Sequence, residues 1–262
     1  MGTFNMKIAT FNINSIRAHA QNFLDFLNSA KPDAVLLQET KAMDDQFPHI
    51  LFDHSGYNVK TFGQKSWNGV AVLSKPSIED FTRGLPTYPS DESARMTECI
   101  IDGRLRIINT YMPNGEAEDS PKFPYKIEWM KKFTEHIASL LDDELPTIIT
   151  GDFNVAIEDK DVWDPKAYEG SSISAPAARR IMREWLDAGW VDAWRKLRGE
   201  NEIGYTWIGY RGGSLEKGHG LRLDYFLLNK AAAPLAKSIE IDLAPRKAPG
   251  ASDHAPLILT IG

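Results

Sequence analysis

Short apolar runs recur along this chain, and most of them end at a polar or acidic residue. The runs are rich in Ile, Val, Leu and Thr, and several lack a polar face, as expected of strands buried on both sides. They occupy residues 6–13, 33–38, 69–74, 105–112, 146–152, 221–228 and 255–261. Segments with helical periodicity lie between them, so the sequence predicts an α/β fold of stacked sheets with helices outside.

Three segments predict the helices. The segment "SIRAHAQNFLDFLNSA" offers Ser15 as an N-cap and carries an apolar stripe. The segment "YKIEWMKKFTEHIASLLDD" repeats the pattern, and "APAARRIMREWLDAG" ends at Gly189, a residue type that commonly follows the end of a helix. No Pro-, Gly- or Ser-rich linker divides the chain, so we expect a single domain over residues 6–262. The "MGTFN" before the second Met predicts an N-terminal extension, residues 1–5.

The composition is that of a globular protein, with 42% hydrophobic and 25% charged residues among 262. No apolar run approaches the roughly 18 residues that a membrane span needs, and no secretory leader is evident. The single cysteine, Cys99, cannot form an intramolecular disulfide, and its apolar neighbours favour a packed core thiol over a nucleophile. We therefore expect a monomer in the reducing cytoplasm, with no membrane partner.

The charge distribution leaves nucleic acid open as a partner. A net charge of −6 argues mildly against it, but a metal-dependent nuclease must itself concentrate carboxylates. Lys and Arg outnumber acidic residues in segments 121–132 and 179–198. Such runs usually form solvated helix faces, and a DNA-binding face is the alternative interpretation.

The polar residues at the strand boundaries carry the strongest functional signal. A carboxylate at an apolar strand is costly unless a metal, a histidine or a hydrogen-bond network receives it. One such residue is commonly structural, whereas several suggest convergence on a single crevice. Oxygen ligands without Cys or paired His favour Mg²⁺ or Mn²⁺ over Zn²⁺. The residues in question are Asn12, Glu39, Asp152, Asn154, Asp224, Asp253 and His254.

These residues lie in motifs that resemble a known family. The stretches "TFNINSIR", "LQETK", "NTYMPNGE", "DSPKFPYK", "GDFN", "YTWIGYR", "GLRLDYFLL" and "SDHAP" resemble, in order, the motifs of the exonuclease III family of apurinic/apyrimidinic endonucleases. "GDFN" and "SDH" alone indicate only the broader endonuclease/exonuclease/phosphatase superfamily; "KFPYK", "YTW…YR" and "GLRLD" narrow it to DNA repair. The resemblance implies a four-layer α/β sandwich, with two face-to-face mixed β-sheets flanked by helices.

The resemblance also implies an activity and its cofactor. It predicts hydrolysis of the DNA backbone 5′ to abasic sites with Mg²⁺ or Mn²⁺, leaving a 3′-OH, with 3′-phosphodiesterase or 3′→5′ exonuclease activity on double-stranded DNA. Glu39 matches the direct metal ligand, supported directly or through water by Asn12, Asp253, Asp152 and Asn154. Asp152 also matches the group that deprotonates the attacking water or protonates the leaving group.

Four residues take roles at the phosphate by the same resemblance. Tyr111 would donate its hydroxyl to a phosphate oxygen, and Asn154 would orient the water and the phosphate. His254 would hold the scissile phosphate, with Asp224 fixing the tautomer and charge of the imidazole. Asp253 and His254 can serve different partners because successive side chains near a strand point in different directions.

The resemblance implies that an abasic nucleotide is flipped into an apolar pocket walled by Trp207, Leu221 and Leu223. An intact base would be too bulky for this slot. Ser15 and Leu221 depart from residues common in the family, Gly and Trp, which leaves the balance of endonuclease and exonuclease activity open. Candidates for contacts to the rest of the DNA are Asn114, Lys122, Lys126, Arg211 and Arg222.

Two other functions stay open from the sequence. The acidic net charge is compatible with a phosphatase of the same superfamily that acts on a lipid or inositol phosphate, although "YTWIGYR" argues against it. A non-catalytic binder of abasic DNA is the other, which the intact Glu39, Asp152 and His254 disfavour. The expected partner is double-stranded DNA with abasic sites or blocked 3′ ends.

Overall fold

Two six-stranded mixed sheets pack face to face in the computed structural model, which describes residues 5–262. The first sheet has the strand order β11-β12-β1-β2-β4-β3 and the second β5-β6-β7-β8-β10-β9. The strands are β1 (Met6–Asn12), β2 (Ala34–Gln38), β3 (Asn58–Phe62), β4 (Val70–Ser74), β5 (Ile78–Arg83), β6 (Met96–Ile101), β7 (Leu105–Tyr111), β8 (Thr147–Asp152), β9 (Val191–Asp192), β10 (Asp224–Leu228), β11 (Ala236–Ile241) and β12 (Leu257–Ile261). The helices are α1 (Ala20–Ala30), α2 (Phe123–Ile137), α3 (Pro176–Ala188), α4 (Ala193–Arg198), α5 (Ser214–Lys217) and α6 (Ala244–Lys247).

Alternation along the strands builds three apolar layers. In β2, Leu36 faces the core between the two sheets, while its neighbour Leu37 faces the outside of the first sheet, where α1 packs. Helices α2 and α3 cover the outside of the second sheet, with Phe133 and Trp185 in contact. The predicted four-layer α/β sandwich is thereby confirmed.

The predicted strands match central strands of the two sheets, but five strands were not predicted. Strands β3, β5, β9 and β11 lie at sheet edges. Strand β9 has only two residues, and the other three are largely exposed or partly buried, so their apolar signal is weak. Strand β6 went unrecognised because Thr97 and Glu98 interrupt its apolar run. The predicted extension, apart from Asn5, lies outside the described residues. None of the described helices is long and apolar enough to cross a membrane.

The predicted N-cap of the first helix is wrong. Helix α1 begins at Ala20, with His19 as the N-cap residue, and Ser15 has a left-handed φ of 97° in the preceding turn. That conformation is uncommon for a residue with a side chain, which explains why glycine would fit this position well. The predicted end of α3 is confirmed, since Gly189 follows it with φ 122°.

Two buried amides join the sheets directly beneath the strand ends. Gln38 Nε2 donates to Asn109 Oδ1 at 2.7 Å, and Asn109 Nδ2 donates to the carbonyls of Leu37 and Ala71. Buried amides of this kind hold two layers in one register, because any slip would leave polar groups without partners. This connection fixes the relative positions of the residues that follow β2 and β7.

Candidate active site

A row of polar side chains lies across neighbouring strand ends of the second sheet. Asp152 ends β8 and pairs in register with Tyr111 at the end of the parallel strand β7. It also pairs with Asp224 at the start of the antiparallel strand β10. The parallel strands β1 and β2 bring Asn12 and Glu39 to the same edge of the first sheet. The residues predicted from strand ends therefore come together.

Asn12 connects the two sheets at this edge. Its Nδ2 donates to Glu39 Oε1 at 2.8 Å and to Asp152 Oδ2 at 2.9 Å. Asp152 is 1% exposed, and its Oδ1 accepts the backbone N–H of Asn154 at 2.9 Å. One amide thus holds two carboxylates from opposite sheets close together, which is costly unless a cation is also present.

His254 provides a positive charge beside these carboxylates. Its Nδ1 lies 2.8 Å from Asp224 Oδ2, and its Nε2 lies 3.7 Å from Asp152 Oδ2. Burial alone would lower the pKa of His254, but the charges of Asp224 and Asp152 outweigh burial and raise it to about 10. Burial raises the pKa of Asp152, and the imidazolium opposes that rise. The two carboxylates therefore favour the cationic form of the imidazole, and Asp224 fixes its orientation.

Tyr111 stays a hydrogen-bond donor at this site. Burial, followed by the charges of Glu39 and Asp152, raises its pKa well above the ordinary value for a phenol. The guanidinium of Arg95 lies 5.1 Å from the centre of its ring and donates to its backbone carbonyl. A neutral phenol held in this way can donate to an anionic oxygen but cannot act as a base at neutral pH.

Asn154 and Asn114 form the adjoining part of the site. Asn114 Nδ2 donates to Asn154 Oδ1 at 2.9 Å, and Asn154 Nδ2 donates to the carbonyl of Met112 at 3.0 Å. Asn154 has a left-handed φ of 51° and is 4% exposed. A strained backbone at a functional residue persists only where neighbouring contacts over-determine it.

The donor set fits a hard divalent cation held mainly by Glu39. The Glu39 side chain is 19% exposed, and the ammonium of Lys41 lies 2.9 Å from its Oε2, so a positive charge is already accommodated there. Within residues 5–262 no three Asp, Glu, His or Cys side chains converge closely enough to hold an ion by themselves. A cation that takes one or two protein carboxylates and fills its shell with water and phosphate suits this arrangement, as Mg²⁺ does.

Asn12 and Asp253, which were predicted to support a metal ion, have side chains engaged by neighbouring groups. The side-chain oxygen of Asn12 accepts the backbone N–H of Asn14, so its amide nitrogen, not its oxygen, faces Glu39. Asp253 Oδ2 accepts the indole N–H of Trp207 at 3.0 Å, and its Oδ1 accepts from Asn14 at 3.2 Å. Asn12 thus contacts Glu39 directly, whereas Asp253 contacts Asn14 and Trp207 beside it.

The apolar wall predicted for an abasic nucleotide is only partly open. Leu221 and Leu223 are 0% and 2% exposed and pack with Ala156 and Val162 in a closed cluster. Trp207 is partly buried, and it bridges to both Leu221 and His254 through backbone pairing. Leu221 and Leu223 therefore pack behind Trp207, and Trp207 is the accessible member of the predicted wall, beside His254.

Two of the predicted phosphate contacts are wrong because their side chains are buried. Lys126 is 0% exposed, and Arg222 is 2% exposed. Arg222 donates to Asp161 Oδ1 at 2.7 Å and to Asp192 Oδ2 at 2.6 Å, which makes it the centre of a buried ionic network. Lys122 and Arg211 are exposed and remain candidates for DNA contacts.

Arg222→Met is expected to lower the free energy of unfolding by about 3–5 kcal/mol, because it leaves Asp161 and Asp192 without their buried partner. Denaturant titration of the two proteins measures the change. The exposed Arg211→Met is the control and should change stability by less than about 0.5 kcal/mol. If Arg222→Met were as stable as wild type but bound DNA more weakly, the prediction that Arg222 contacts a DNA phosphate would be restored.

Asp224→Asn is expected to move the alkaline limb of the pH–rate profile to lower pH by about 1 to 3 units. We expect the rate to fall as pH rises through the pKa of His254, because a neutral imidazole that keeps its proton on Nδ1, facing Asp224, has no N–H left for a phosphate oxygen. Removing the nearest carboxylate lowers that pKa from about 10. The dependence of kcat/KM on pH measures the shift.

Glu98→Gln provides the control for this profile. Glu98 contacts His136 at 2.7 Å, a carboxylate–imidazole pair that belongs to none of the site contacts described above. Its removal should leave the alkaline limb in place. An unshifted limb in Asp224→Asn, or an equal shift in both variants, would contradict the role assigned to Asp224.

Two residues at the site were missed from the sequence. Lys41 pairs with Glu39, and it was present in the motif "LQETK", two residues after the predicted metal ligand. Arg95 supports Tyr111 through its ring and its carbonyl. Nothing in the segment around Arg95 distinguishes it from an ordinary surface arginine. Its partner Tyr111 is brought next to it only by the pairing of β6 with β7.

Comparisons with known proteins agree with this geometry. The chain matches the profile of the Endonuclease/Exonuclease/phosphatase family over residues 9–254. It is 31% identical to exodeoxyribonuclease III of Haemophilus influenzae, with 96% of this chain and 98% of that protein covered. It is 30% identical to an exodeoxyribonuclease of Bacillus subtilis, with 98% and 99% covered.

Two solved structures share the whole fold. An AP endonuclease from Archaeoglobus fulgidus superposes with a TM-score of 0.93 at 37% identity, covering 98% of this chain and 99% of that one. The 3′ phosphatase NExo from Neisseria, solved with a product DNA hairpin, gives a TM-score of 0.93 at 34% identity with the same coverage. The likeness therefore extends over both sheets and the edge where the polar residues meet.

Proposed function

The chain belongs to the endonuclease/exonuclease/phosphatase family, and we propose that it is a DNA-repair nuclease that uses Mg²⁺ to hydrolyse the DNA backbone 5′ to abasic sites. The proposal includes trimming of blocked 3′ ends and 3′→5′ exonuclease activity. The single observation that carries it is the position of Asp152: it contacts Asn12, which also holds Glu39, on one side and His254 on the other. Phosphodiester hydrolysis needs these three elements, a metal ligand, a proton-transfer group and a cation, within one site.

The protein's own residues would act on the phosphate from two sides. The imidazolium of His254 donates to one non-bridging oxygen, and the hydroxyl of Tyr111 donates to another. Asp152 exchanges a proton with the attacking water or the leaving oxygen, and Asn154 orients the reacting groups. Glu39 would hold a divalent cation, which would neutralise the negative charge that grows on the phosphate.

The names of the relatives favour DNA over other phosphate esters as the substrate. The curated relatives are exodeoxyribonucleases and AP endonucleases, and a solved neighbour holds a DNA hairpin. A lipid or inositol phosphatase and a non-catalytic binder are correspondingly disfavoured. Abasic sites and blocked 3′ ends remain the proposed lesions, with Trp207 as the accessible apolar wall beside the scissile phosphate.

The experiment that tests this function uses a labelled duplex with one tetrahydrofuran abasic analogue. Incubation with Mg²⁺ should give incision 5′ to the analogue and a 3′-OH, and EDTA should abolish it. Duplexes with a 3′-phosphate and with no damage, together with an inositol phosphate, are compared in parallel. Phosphate release from the inositol compound with all duplexes intact, or DNA binding without turnover in either metal, would overturn the proposal.

A further inference from the structure

The buried lysine of α2 has an unusual environment. Lys126 lies in the first turn of the helix, where a cation is opposed by the positive end of the helix dipole. Its side chain is 0% exposed, and burial lowers its pKa while the charge of Asp152 opposes that shift. An apolar residue would avoid both costs, so fold stability alone gives little reason for a lysine at this position.

Three backbone carbonyls surround the ammonium of Lys126. The Nζ donates to the carbonyls of Asn154 at 2.6 Å, Asn114 at 3.0 Å and Ser172 at 3.2 Å. A charged ammonium has three N–H groups and no acceptor, so these three oxygens satisfy it completely. No donor remains for a DNA phosphate.

The three carbonyls belong to three separate loops around the site. The first follows β7 and carries Asn114, and the second follows β8 and carries Asn154. The third carries Ser172, whose hydroxyl also donates to the carbonyl of Asn114. Its neighbour Ile173 packs against the apolar cluster behind Trp207. Lys126 thus contacts the loop of a catalytic asparagine and the loop of the pocket wall at once.

We infer that Lys126 is a positioning residue for the nuclease reaction: its ammonium clamps these three loops so that Asn154 and the pocket wall are held in one arrangement relative to the scissile phosphate. The inference rests on the proposed function. Asn154 depends on such a clamp because its backbone is left-handed, and the bond from Lys126 to its carbonyl stabilises that peptide. The loop around Gly115 leaves room for the stem, since a Cβ at Gly115 would lie 2.8 Å from Lys126 Cδ.

The inference is tested with Lys126→Met, which keeps the length of the side chain and removes its three donors. On the abasic duplex we expect kcat to fall by about 10- to 100-fold, because small displacements of orienting groups have effects of this size. The KM should stay within about twofold of wild type, since no DNA contact is lost. A rise in KM with an unchanged kcat would instead assign Lys126 to phosphate binding and overturn the inference.

Asn229 offers a matched control at the opposite end of β10. It is also 0% exposed, and its amide donates to three backbone carbonyls, those of Leu140, Asp143 and Leu145. Asn229→Leu should lose stability comparably but keep the wild-type kcat when assayed well below its Tm. A similar loss of kcat in both variants would reduce Lys126 to an ordinary structural role.

Gly115→Ala covers the case in which Lys126→Met does not fold. The added methyl displaces the lysine stem without removing its charge, and we expect it to lower kcat in the same way. A wild-type kcat in folded Gly115→Ala, with its Tm lowered by the crowding, would contradict the inference. If the wild type is active and both Lys126→Met and Gly115→Ala keep its kcat, the inference fails but the proposed function stands. If the wild type itself is inactive on the abasic duplex, the proposed function fails.

Discussion

Asp152→Asn is expected to lower the single-turnover rate on an abasic duplex by about 100- to 10,000-fold while DNA affinity stays close to that of wild type. The amide keeps the size of the side chain and can still contact Asn12 and Asn154, but it cannot take up a proton at neutral pH. The loss should therefore fall on the chemical step and not on binding. Single-turnover cleavage and equilibrium binding, both with Mg²⁺, separate the two quantities.

Asp143→Asn is the matched control for that measurement. Asp143 lies on the segment that leads into β8, the strand that Asp152 ends. Its carboxylate pairs with Arg106 of β7. Its substitution should leave the cleavage rate unchanged. Near-normal turnover in Asp152→Asn would show that Asp152 does not transfer a proton in the reaction.

Glu39→Ala is expected to shift the Mg²⁺ dependence of cleavage to concentrations at least about 10-fold higher. Glu39 is the partly exposed carboxylate at the site, and even residues that only support a metal ligand change affinity by about 10- to 100-fold when removed. The shift is measured by titrating Mg²⁺ at saturating DNA. Binding of Mn²⁺ to the DNA-free protein, followed by electron paramagnetic resonance, gives a second readout that does not depend on activity.

Glu200→Ala controls for the loss of one negative charge. Glu200 is exposed and pairs with Lys160 at 3.5 Å, on a different part of the surface. Its Mg²⁺ titration should overlay that of wild type. An unshifted curve for Glu39→Ala would mean that another group holds the metal.

The sequence predicted the central strands and the site residues for the same physical reason. A strand such as β10 is apolar on both faces, so an aspartate at its start is expensive and must have partners. His254, which contacts Asp224, satisfies that requirement, and Asp152 and Glu39 are found the same way. Edge strands such as β5 lack this signal, since half of their surface meets solvent.

The lysines and arginines were harder to assign from sequence. Charge patterning treats Lys126 and Lys122 alike, although one is buried and the other exposed. The difference arises from partners that lie far away along the chain: the Ser172 carbonyl is 46 residues from Lys126, and Asp161 is 61 residues from Arg222. Only the folded chain brings such acceptors to a cation, so local sequence cannot distinguish a structural cation from a phosphate contact.

The most direct test of this account is anomalous diffraction from crystals soaked with Mn²⁺ and bound to an uncleaved abasic duplex. We expect an Mn²⁺ peak within coordination distance of Glu39, with the scissile phosphate against His254 and within reach of Asp152. The same crystals of Glu39→Ala should lack the peak. An occupied metal site elsewhere, with the phosphate bound away from His254, would contradict a single metal-dependent hydrolytic centre at this edge of the two sheets.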